Sequence, residues 1–158
     1  MNRSTAAIVA SSAVLAAALL GAQNGPQRPS TAFWYARLRK PGYTPPGPVI
    51  GVAWGVLESL LVATGYRLLR QPPVPSRNKA LGAWGCTLIG LAAFPYLFFG
   101  KRRLGQSTMA SAAMLAAAAG TALNASHVDK PAAAMTLPLL GWVSFATFLS
   151  GDLYRRNT

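Results

Sequence analysis

Five long stretches that together contain a single charge constrain this chain more than any other feature of its sequence. Each holds about 20 residues, which as a helix would cross the roughly 30 Å of hydrocarbon in a bilayer. Soluble helices carry a charged face at helical period, and these stretches carry none, so we expect membrane spans rather than buried soluble helices. The stretches are residues 5–23, 48–66, 80–100, 104–126 and 131–151, and Glu58 is the one charge inside them.

The stretches predict an all-α integral membrane protein, a bundle of five transmembrane helices in a single domain over residues 1–158. The alternative for the first stretch is a cleaved signal peptide, which would leave four spans. Prolines mark the breaks between helices, because proline lacks an amide donor and clashes with the preceding turn. The predicted helices cover residues about 5–23, 48–70, 79–100, 104–126 and 131–154, with the Pro-rich connection 24–47 as a rigid, extended lid.

The few titratable side chains exclude most catalytic and metal sites. The 158 residues include 15 Lys and Arg, 3 Asp and Glu, one His and one Cys. A single Cys and a single His provide neither a thiolate cage nor a His pair for zinc, and the three acids are too scattered for a carboxylate dyad. We therefore predict no catalytic residue, no metal site, no required cofactor and no enzymatic activity. The charges are also too sparse for a protein that binds nucleic acid.

Basic residues divide unequally between the two predicted faces of the membrane. Six lie on the side of the N-terminus, and nine lie on the side of connection 24–47 and the C-terminus. Cytoplasmic loops are enriched in Lys and Arg, so we expect the side with nine to face the cytoplasm and to attract anionic lipid headgroups. The nine are Arg28, Arg37, Arg39, Lys40, Lys101, Arg102, Arg103, Arg155 and Arg156.

Three motifs follow one another along the chain. The first is W-Y-x-x-L-x-K-P-x-x-x-P-P, leading to a helix with W-x-x-L. The second is similar to W-x-P-L-F-F-G, and the third to L-P-Y-x-x-W-x-x-F-A-T-x-L-N. They are formed by Trp34, Tyr35, Leu38, Lys40, Pro41, Pro45, Pro46, Trp54 and Leu57, by residues 94–100, and by residues 137–150. In order and spacing these motifs resemble the TspO/MBR family of tryptophan-rich sensory proteins, translocator proteins and peripheral benzodiazepine receptors.

The resemblance implies a five-helix membrane protein, often a homodimer, that binds a hydrophobic ligand under its first loop. The implied ligands are tetrapyrroles (protoporphyrin IX or haem), sterols and benzodiazepine-type drugs. The implied location is the mitochondrial outer membrane in a eukaryote or the cell envelope in a bacterium. We accordingly predict a protein that senses or translocates such a ligand. The alternatives are a porphyrin-degrading enzyme and a structural bundle that recruits partners through its basic cytoplasmic face.

The resemblance also implies which residues line the ligand site. Trp54 and Trp142 are the first choices, because aromatic faces stack on planar rings. The predicted ligand-binding residues are Trp34, Pro45, Pro46, Trp54, Glu58, Phe94, Trp142, Phe145, Ala146 and Leu149.

Glu58 replaces a tyrosine of the family pattern and lies one turn after Trp54, so the two share a helix face. An ionised carboxylate at this depth costs several kcal/mol unless it is paired, wet or protonated. We expect Glu58 to face the pocket and either meet a polar ligand group or stay neutral. The alternative is a structural hydrogen bond to a neighbouring helix.

Other departures from the family pattern predict a more apolar pocket than usual. Thr87, Leu91 and Phe94 stand where the family has Gln, Asn and Trp. In the last helix Leu139 replaces a tyrosine and Ser150 an asparagine. These changes remove polar groups that could bind a tetrapyrrole or drug.

Two further patterns are weaker. Leu149, Tyr154 and Arg156 fit a loose sterol-binding pattern, although Tyr and Arg at a helix end also serve as interface anchors. Small residues recur every four positions along the second predicted helix, which permits close helix contact inside the bundle or, alternatively, a dimer face. The small residues are Gly47, Gly51, Gly55, Ser59 and Ala63.

Overall fold

The computed structural model describes residues 1–158 as an all-α fold, which confirms the predicted class. Four of its helices, α1, α3, α4 and α6, are long and apolar enough to cross a membrane. A fifth long helix, α5, is not among these four. The six helices are α1 (Arg3–Ala22), α2 (Pro29–Arg37), α3 (Gly47–Arg70), α4 (Pro75–Pro95, continued by a π-helical turn at Tyr96–Gly100), α5 (Leu104–Ser126) and α6 (Lys130–Arg156).

Proline sets the start of several helices. Pro29, Pro48 and Pro75 each lie in a first helical turn, where the missing N–H has no intrahelical partner to lose. Pro48 lies in the first turn of the helix that carries Trp54. The helix expected from about residue 79 begins four residues earlier, because Pro75 opens α4.

The prediction of an extended lid over residues 24–47 is also wrong in part, because Pro29–Arg37 form helix α2. Trp34 and Tyr35 on this helix pack edge-on against Phe98, with ring centroids 5.8 and 6.2 Å apart. This aromatic contact gives a short helix the tertiary packing that it needs for stability. The connection is non-helical at residues 23–28 and again at residues 38–46, where its prolines disfavour a helix.

The five long helices form a closed ring in the order α1, α3, α6, α5, α4. Their largest core cluster includes Val14 of α1, Leu57 of α3, Trp84 of α4, Met114 of α5 and Val143 of α6. Every long helix therefore contributes to one core, and α1 is an integral wall of the bundle. Many large apolar side chains are exposed on the outside of the ring, among them Ile8, Val52, Ile89, Met109 and Leu137, and such a surface suits lipid.

Close packing on α3 occurs at a different glycine from those predicted. A Cβ added at Gly47, Gly51 or Gly55 would meet nothing within 4 Å, so the expected contact of this stripe inside the bundle is wrong. At Gly65, by contrast, a Cβ would lie 2.5 Å from the Trp84 ring. The Trp84 indole donates to the carbonyl of Leu61 at 3.0 Å, which fixes the ring against α3.

A polar clamp joins α3 to α6 at the end of the bundle away from the connection 24–47. Asp129 accepts from Arg67 Nε at 2.9 Å, from Gln71 Nε2 at 2.6 Å and from the Ala132 backbone N–H at 2.9 Å. Burial alone would raise the pKa of Asp129, but these three donors and the Arg67 charge outweigh it and hold the pKa below its ordinary value. The carboxylate therefore caps α6 and ties it to α3.

Candidate functional site

A cavity of about 370 Å³ lies inside the ring of helices, beneath the connection between α1 and α3. All five long helices and the connection contribute to its wall. Most of the wall is apolar, and its aromatic side chains come from α2, from α3, from the end of α4 and from α6. The lining includes Ala18, Gly21, Tyr35, Pro45, Ile50, Gly51, Trp54, Glu58, Leu91, Phe94, Phe98, Phe99, Ser111, Met114, Trp142, Phe145, Ala146, Leu149, Ser150 and Leu153.

Eight of the ten residues predicted to bind ligand line this one cavity. The two that do not are Trp34 and Pro46. Trp34 lies in α2, packed on Phe98 and beneath the Arg102 guanidinium, 5.5 Å from the ring centroid. Pro46 immediately precedes α3 and caps its start. The eight that the structure brings together are Pro45, Trp54, Glu58, Phe94, Trp142, Phe145, Ala146 and Leu149.

A π-helical turn at the end of α4 positions part of the aromatic wall. The Lys101 N–H donates to the carbonyl of Tyr96 at 2.8 Å, five residues back, which widens this turn. Phe94 and Phe98 stack with ring centroids 5.4 Å apart. Arg102 then takes a left-handed conformation, φ 55°, which ends the helix. The turn thus presents phenylalanine side chains to the cavity and to α2.

Six side chains bring polar atoms to the cavity wall, namely Gln27, Tyr35, Glu58, Ser111, Trp142 and Ser150, and three of them are informative. Ser111 is already paired, because its hydroxyl lies 2.7 Å from that of Thr147. Trp142 has a buried indole N–H with no acceptor. Glu58 has neither a hydrogen-bond donor nor a charged partner, and all three ion pairs of the protein involve Asp129 or Asp152. The hydrogen bond to a neighbouring helix that was the alternative for Glu58 is therefore not made.

The connection is fastened over the cavity by contacts with the end of α6. Tyr43 donates from its hydroxyl to Asp152 at 2.7 Å, and its ring stacks on Phe148 with centroids 5.8 Å apart. The Arg39 backbone N–H donates to Asn157 Oδ1 at 2.9 Å. Desolvation, followed by the bond to Asp152, raises the pKa of Tyr43, so this phenol stays protonated as a donor at neutral pH. We call residues 38–46, with these contacts, the lid.

The residues of the loose sterol pattern do not share a surface. Leu149 lines the cavity. Tyr154 lies five residues later, nearly one and a half turns away, and its ring packs near Gly105 at the start of α5. Arg156 donates from Nε to Asp152 at 3.0 Å. The structure therefore joins Leu149 to the cavity and leaves the other two at the end of α6.

The contribution of α5 to the cavity was not predicted from the sequence. Ser111 and Met114 line it, although α5 is rich in alanine and carries no aromatic side chain. The available signal was the helical spacing of Ser107, Ser111 and Met114, all of them buried. For metals, no three His, Cys, Asp or Glu side chains lie close enough together to hold an ion. The cavity can therefore hold a mainly apolar molecule through packing, stacking and a few hydrogen bonds.

Comparison with known proteins agrees with this architecture. The model of the TspO/MBR family matches residues 9–155. The translocator proteins of Bos taurus and Homo sapiens are each 32% identical over 126 residues, covering 78% of this chain and 75% of theirs. The tryptophan-rich protein TspO of Bacillus cereus is 30% identical over 132 residues, covering 82% of this chain and 84% of its own length. The chain therefore belongs to the TspO/MBR family of multi-pass integral membrane proteins.

Proposed function

We propose that this protein reversibly binds a hydrophobic ligand, a tetrapyrrole or a sterol, in the cavity and senses or translocates it. The observation that carries the proposal is the cavity of about 370 Å³ with aromatic walls beneath the lid. Ligand sites typically occupy roughly 300–1,000 Å³, are mainly apolar and hold a few placed polar groups. The names of the relatives, translocator protein and tryptophan-rich sensory protein, support transport or sensing as the purpose of binding.

In this proposal the walls supply affinity and the lid controls access. Trp54 and Trp142 stack on the planar or ring-rich part of the ligand, which excludes water from both faces. Binding is non-covalent, so a porphyrin is a ligand and no cofactor is needed. Release requires the Tyr43 contacts on α6 to break, because the connection that carries them roofs the cavity.

A protoporphyrin IX titration of the detergent-purified protein, followed by tryptophan quenching, tests the proposal. We expect saturable binding that weakens in Trp54→Phe and in Trp142→Phe. Trp34→Phe is the matched control, because Trp34 lies outside the cavity and its loss should change the quenching amplitude without changing the affinity. An absence of saturable binding to protoporphyrin and then to cholesterol, in folded monodisperse protein, would contradict the proposal.

The same titration separates binding from catalysis. Reversible binding leaves the porphyrin absorbance recoverable after the protein is denatured. Porphyrin degradation would instead bleach it progressively under light. A structural bundle without a ligand would give neither signal, and its partner would dissociate at high salt.

We further propose that α5 is a fifth span and that the protein forms a homodimer. The α5 helix has 23 residues, closes the ring between α4 and α6, and exposes Met109 and Leu123 on its outer face. Cysteines placed at Gly105 and Ser126 should react with impermeant reagents from opposite sides of sealed vesicles; labelling from one side only would reject the span. Light scattering in micelles should give twice the protomer mass.

The basic residues give the orientation that we propose. The lid and the C-terminus lie together at one end of the bundle, as the bond between Arg39 and Asn157 requires. Nine of the 15 basic side chains are carried by the segments at this end, which supports a cytoplasmic lid. A protease that cuts the lid only after cells are opened would support this arrangement. In a eukaryote the proposed membrane is the mitochondrial outer membrane, and in a bacterium it is the cell envelope.

A further inference from the structure

The floor of the cavity, formed by Glu58 and Trp142, holds two polar groups without partners. Glu58 lies eleven residues after Gly47, which places it about 16 Å along α3 from the lid. Trp142 lies ten residues before Asp152, which places it at a similar depth, about 15 Å, on α6. Both residues line the cavity, so the floor offers a free acceptor and a free donor to whatever enters.

Leaving these groups unpaired is costly in apolar surroundings. A buried donor without an acceptor costs about 1–3 kcal/mol, and a carboxylate at membrane depth is rare outside functional sites. The Trp142 N–H is fully buried and unpaired. No lysine, arginine or histidine approaches Glu58. A ligand that supplies the missing partners therefore gains free energy that the protein alone cannot recover.

The chemistry of the floor selects the ligand head group. A hydroxyl can donate to Glu58 and accept from the Trp142 N–H, so its chemistry matches both groups. A protonated amine can only donate, which suits Glu58. A carboxylate can accept from Trp142, but it brings a second acid against Glu58, so either two like charges repel in a low dielectric or one of the two acids must hold a proton.

Building on the proposed function, we propose that this protein selects a hydrophobic molecule whose leading end carries a hydrogen-bond-donating head, a hydroxyl or a protonated amine, and discriminates against a carboxylate at that end. A porphyrin then enters with the edge that lacks its propionates toward the floor. Glu58 is the specificity-determining residue, because it accepts a hydrogen bond from the head group. The Trp142 N–H donates a hydrogen bond to a head group that can accept one. Most of the remaining cavity wall is apolar, and it treats the hydrocarbon body of the three ligand types alike.

The experiment uses three probes that share one planar ring system: pyrenemethanol, pyrenemethylamine and pyrenecarboxylate. Binding to the full chain in micelles is measured by energy transfer from tryptophan to pyrene. We expect a donor-headed probe to bind roughly tenfold or more tightly than pyrenecarboxylate. In Glu58→Gln, pyrenecarboxylate should bind more tightly than in the wild type while the donor-headed probes weaken. A gain of binding cannot arise from misfolding. Ser59→Ala, on the exposed side of the same helix, should leave the order of affinities unchanged.

A second variant tests the indole N–H. Trp142→Phe should weaken the binding of pyrenemethanol by about three- to tenfold. It should weaken the binding of pyrenemethylamine less, because a protonated amine accepts no hydrogen bond from the indole N–H. An equal loss for both would assign the effect to packing and overturn the role given to the N–H.

Failures of the two proposals are distinguishable. If all three probes bind equally, or if their order of affinities is the same in Glu58→Gln, the proposed head-group selectivity is wrong. Either result would leave the proposal of ligand binding intact. An absence of saturable binding for every probe and for protoporphyrin IX would overturn both.

Discussion

The polar clamp at the end of the bundle opposite the lid gives the sharpest stability prediction. Replacing Asp129 by alanine removes the N-cap of α6, worth about 1 kcal/mol, and two side-chain hydrogen bonds to a charged group, worth about 1.5–3 kcal/mol each. The Arg67 side chain is 37% exposed, so it can turn to water and recover part of the loss. We therefore expect Asp129→Ala to lower the free energy of unfolding by about 3 kcal/mol.

Asparagine at position 129 separates the stability that comes from capping α6 from the stability that comes from the negative charge. Asp129→Asn keeps Oδ1 as an acceptor for the Ala132 N–H and for Arg67, but it loses the charge and places an NH2 group where Oδ2 accepts from Gln71, so Gln71 must turn its amide to stay bonded. We expect a loss of about 1–2 kcal/mol. The assay is unfolding by SDS in mixed micelles, followed by the fluorescence of the buried tryptophan at position 84. Asn2→Ala is the control, because it removes the exposed cap of α1, where Asn2 Oδ1 accepts from the Thr5 N–H at 2.8 Å, and no ion pair.

The clamp also predicts a direction for pH dependence. The pKa of Asp129 in the folded protein is lower than in the unfolded chain, so its contribution is complete above the ordinary aspartate pKa of about 3.9. It is lost as the pH falls through the folded-state pKa. The difference in the free energy of unfolding between the wild type and Asp129→Asn should therefore disappear in this acid range. If Asp129→Ala and Asp129→Asn had free energies of unfolding within about 0.5 kcal/mol of the wild type at neutral pH, the reasoning would be refuted.

Two further substitutions test the lid and the packing of α3. Tyr43→Phe keeps the ring and removes the 2.7 Å bond to Asp152, so bound porphyrin should dissociate about two- to fivefold faster in stopped flow; an unchanged rate would show that this bond does not hold the lid. Gly65→Ala puts a methyl group against the rigid Trp84 ring and should cost about 1–3 kcal/mol in SDS unfolding, whereas Gly55→Ala meets open space and should be neutral or slightly stabilising. Equal effects of the two alanines would contradict the packing described.

The sequence was most informative where one physical rule acts alone. Uncharged length predicted the long helices, and motif spacing predicted eight of the residues that share the cavity. Helix α2 was not predicted, because its stability comes from the contact of Trp34 and Tyr35 with Phe98, more than 60 residues away in the chain. Proline was ambiguous for a similar reason: Pro75 can end one helix or open the next, and only the packing decides.

Small residues were the least predictable feature, because a missing side chain permits either close contact or empty space. On α3 the glycines at 47, 51 and 55 leave space, and two of them line the cavity, while Gly65 makes the close contact. The difference depends on what the neighbouring helix places opposite each glycine. For Gly65 that is Trp84, a residue that no family motif had marked.

The two ends of the bundle differ in how firmly they are held, and this difference suits a protein that admits a ligand at one end. Opposite the lid, a carboxylate that is 3% exposed joins α3 to α6 through three short hydrogen bonds. At the lid, the bonds of Tyr43 and Asn157 are exposed to solvent, where water competes for the same donors and acceptors. Local opening draws on the least stable contacts of a fold, so the lid should open while the clamp keeps the helices together. A ligand can then reach the unpaired groups at the floor without unfolding the bundle.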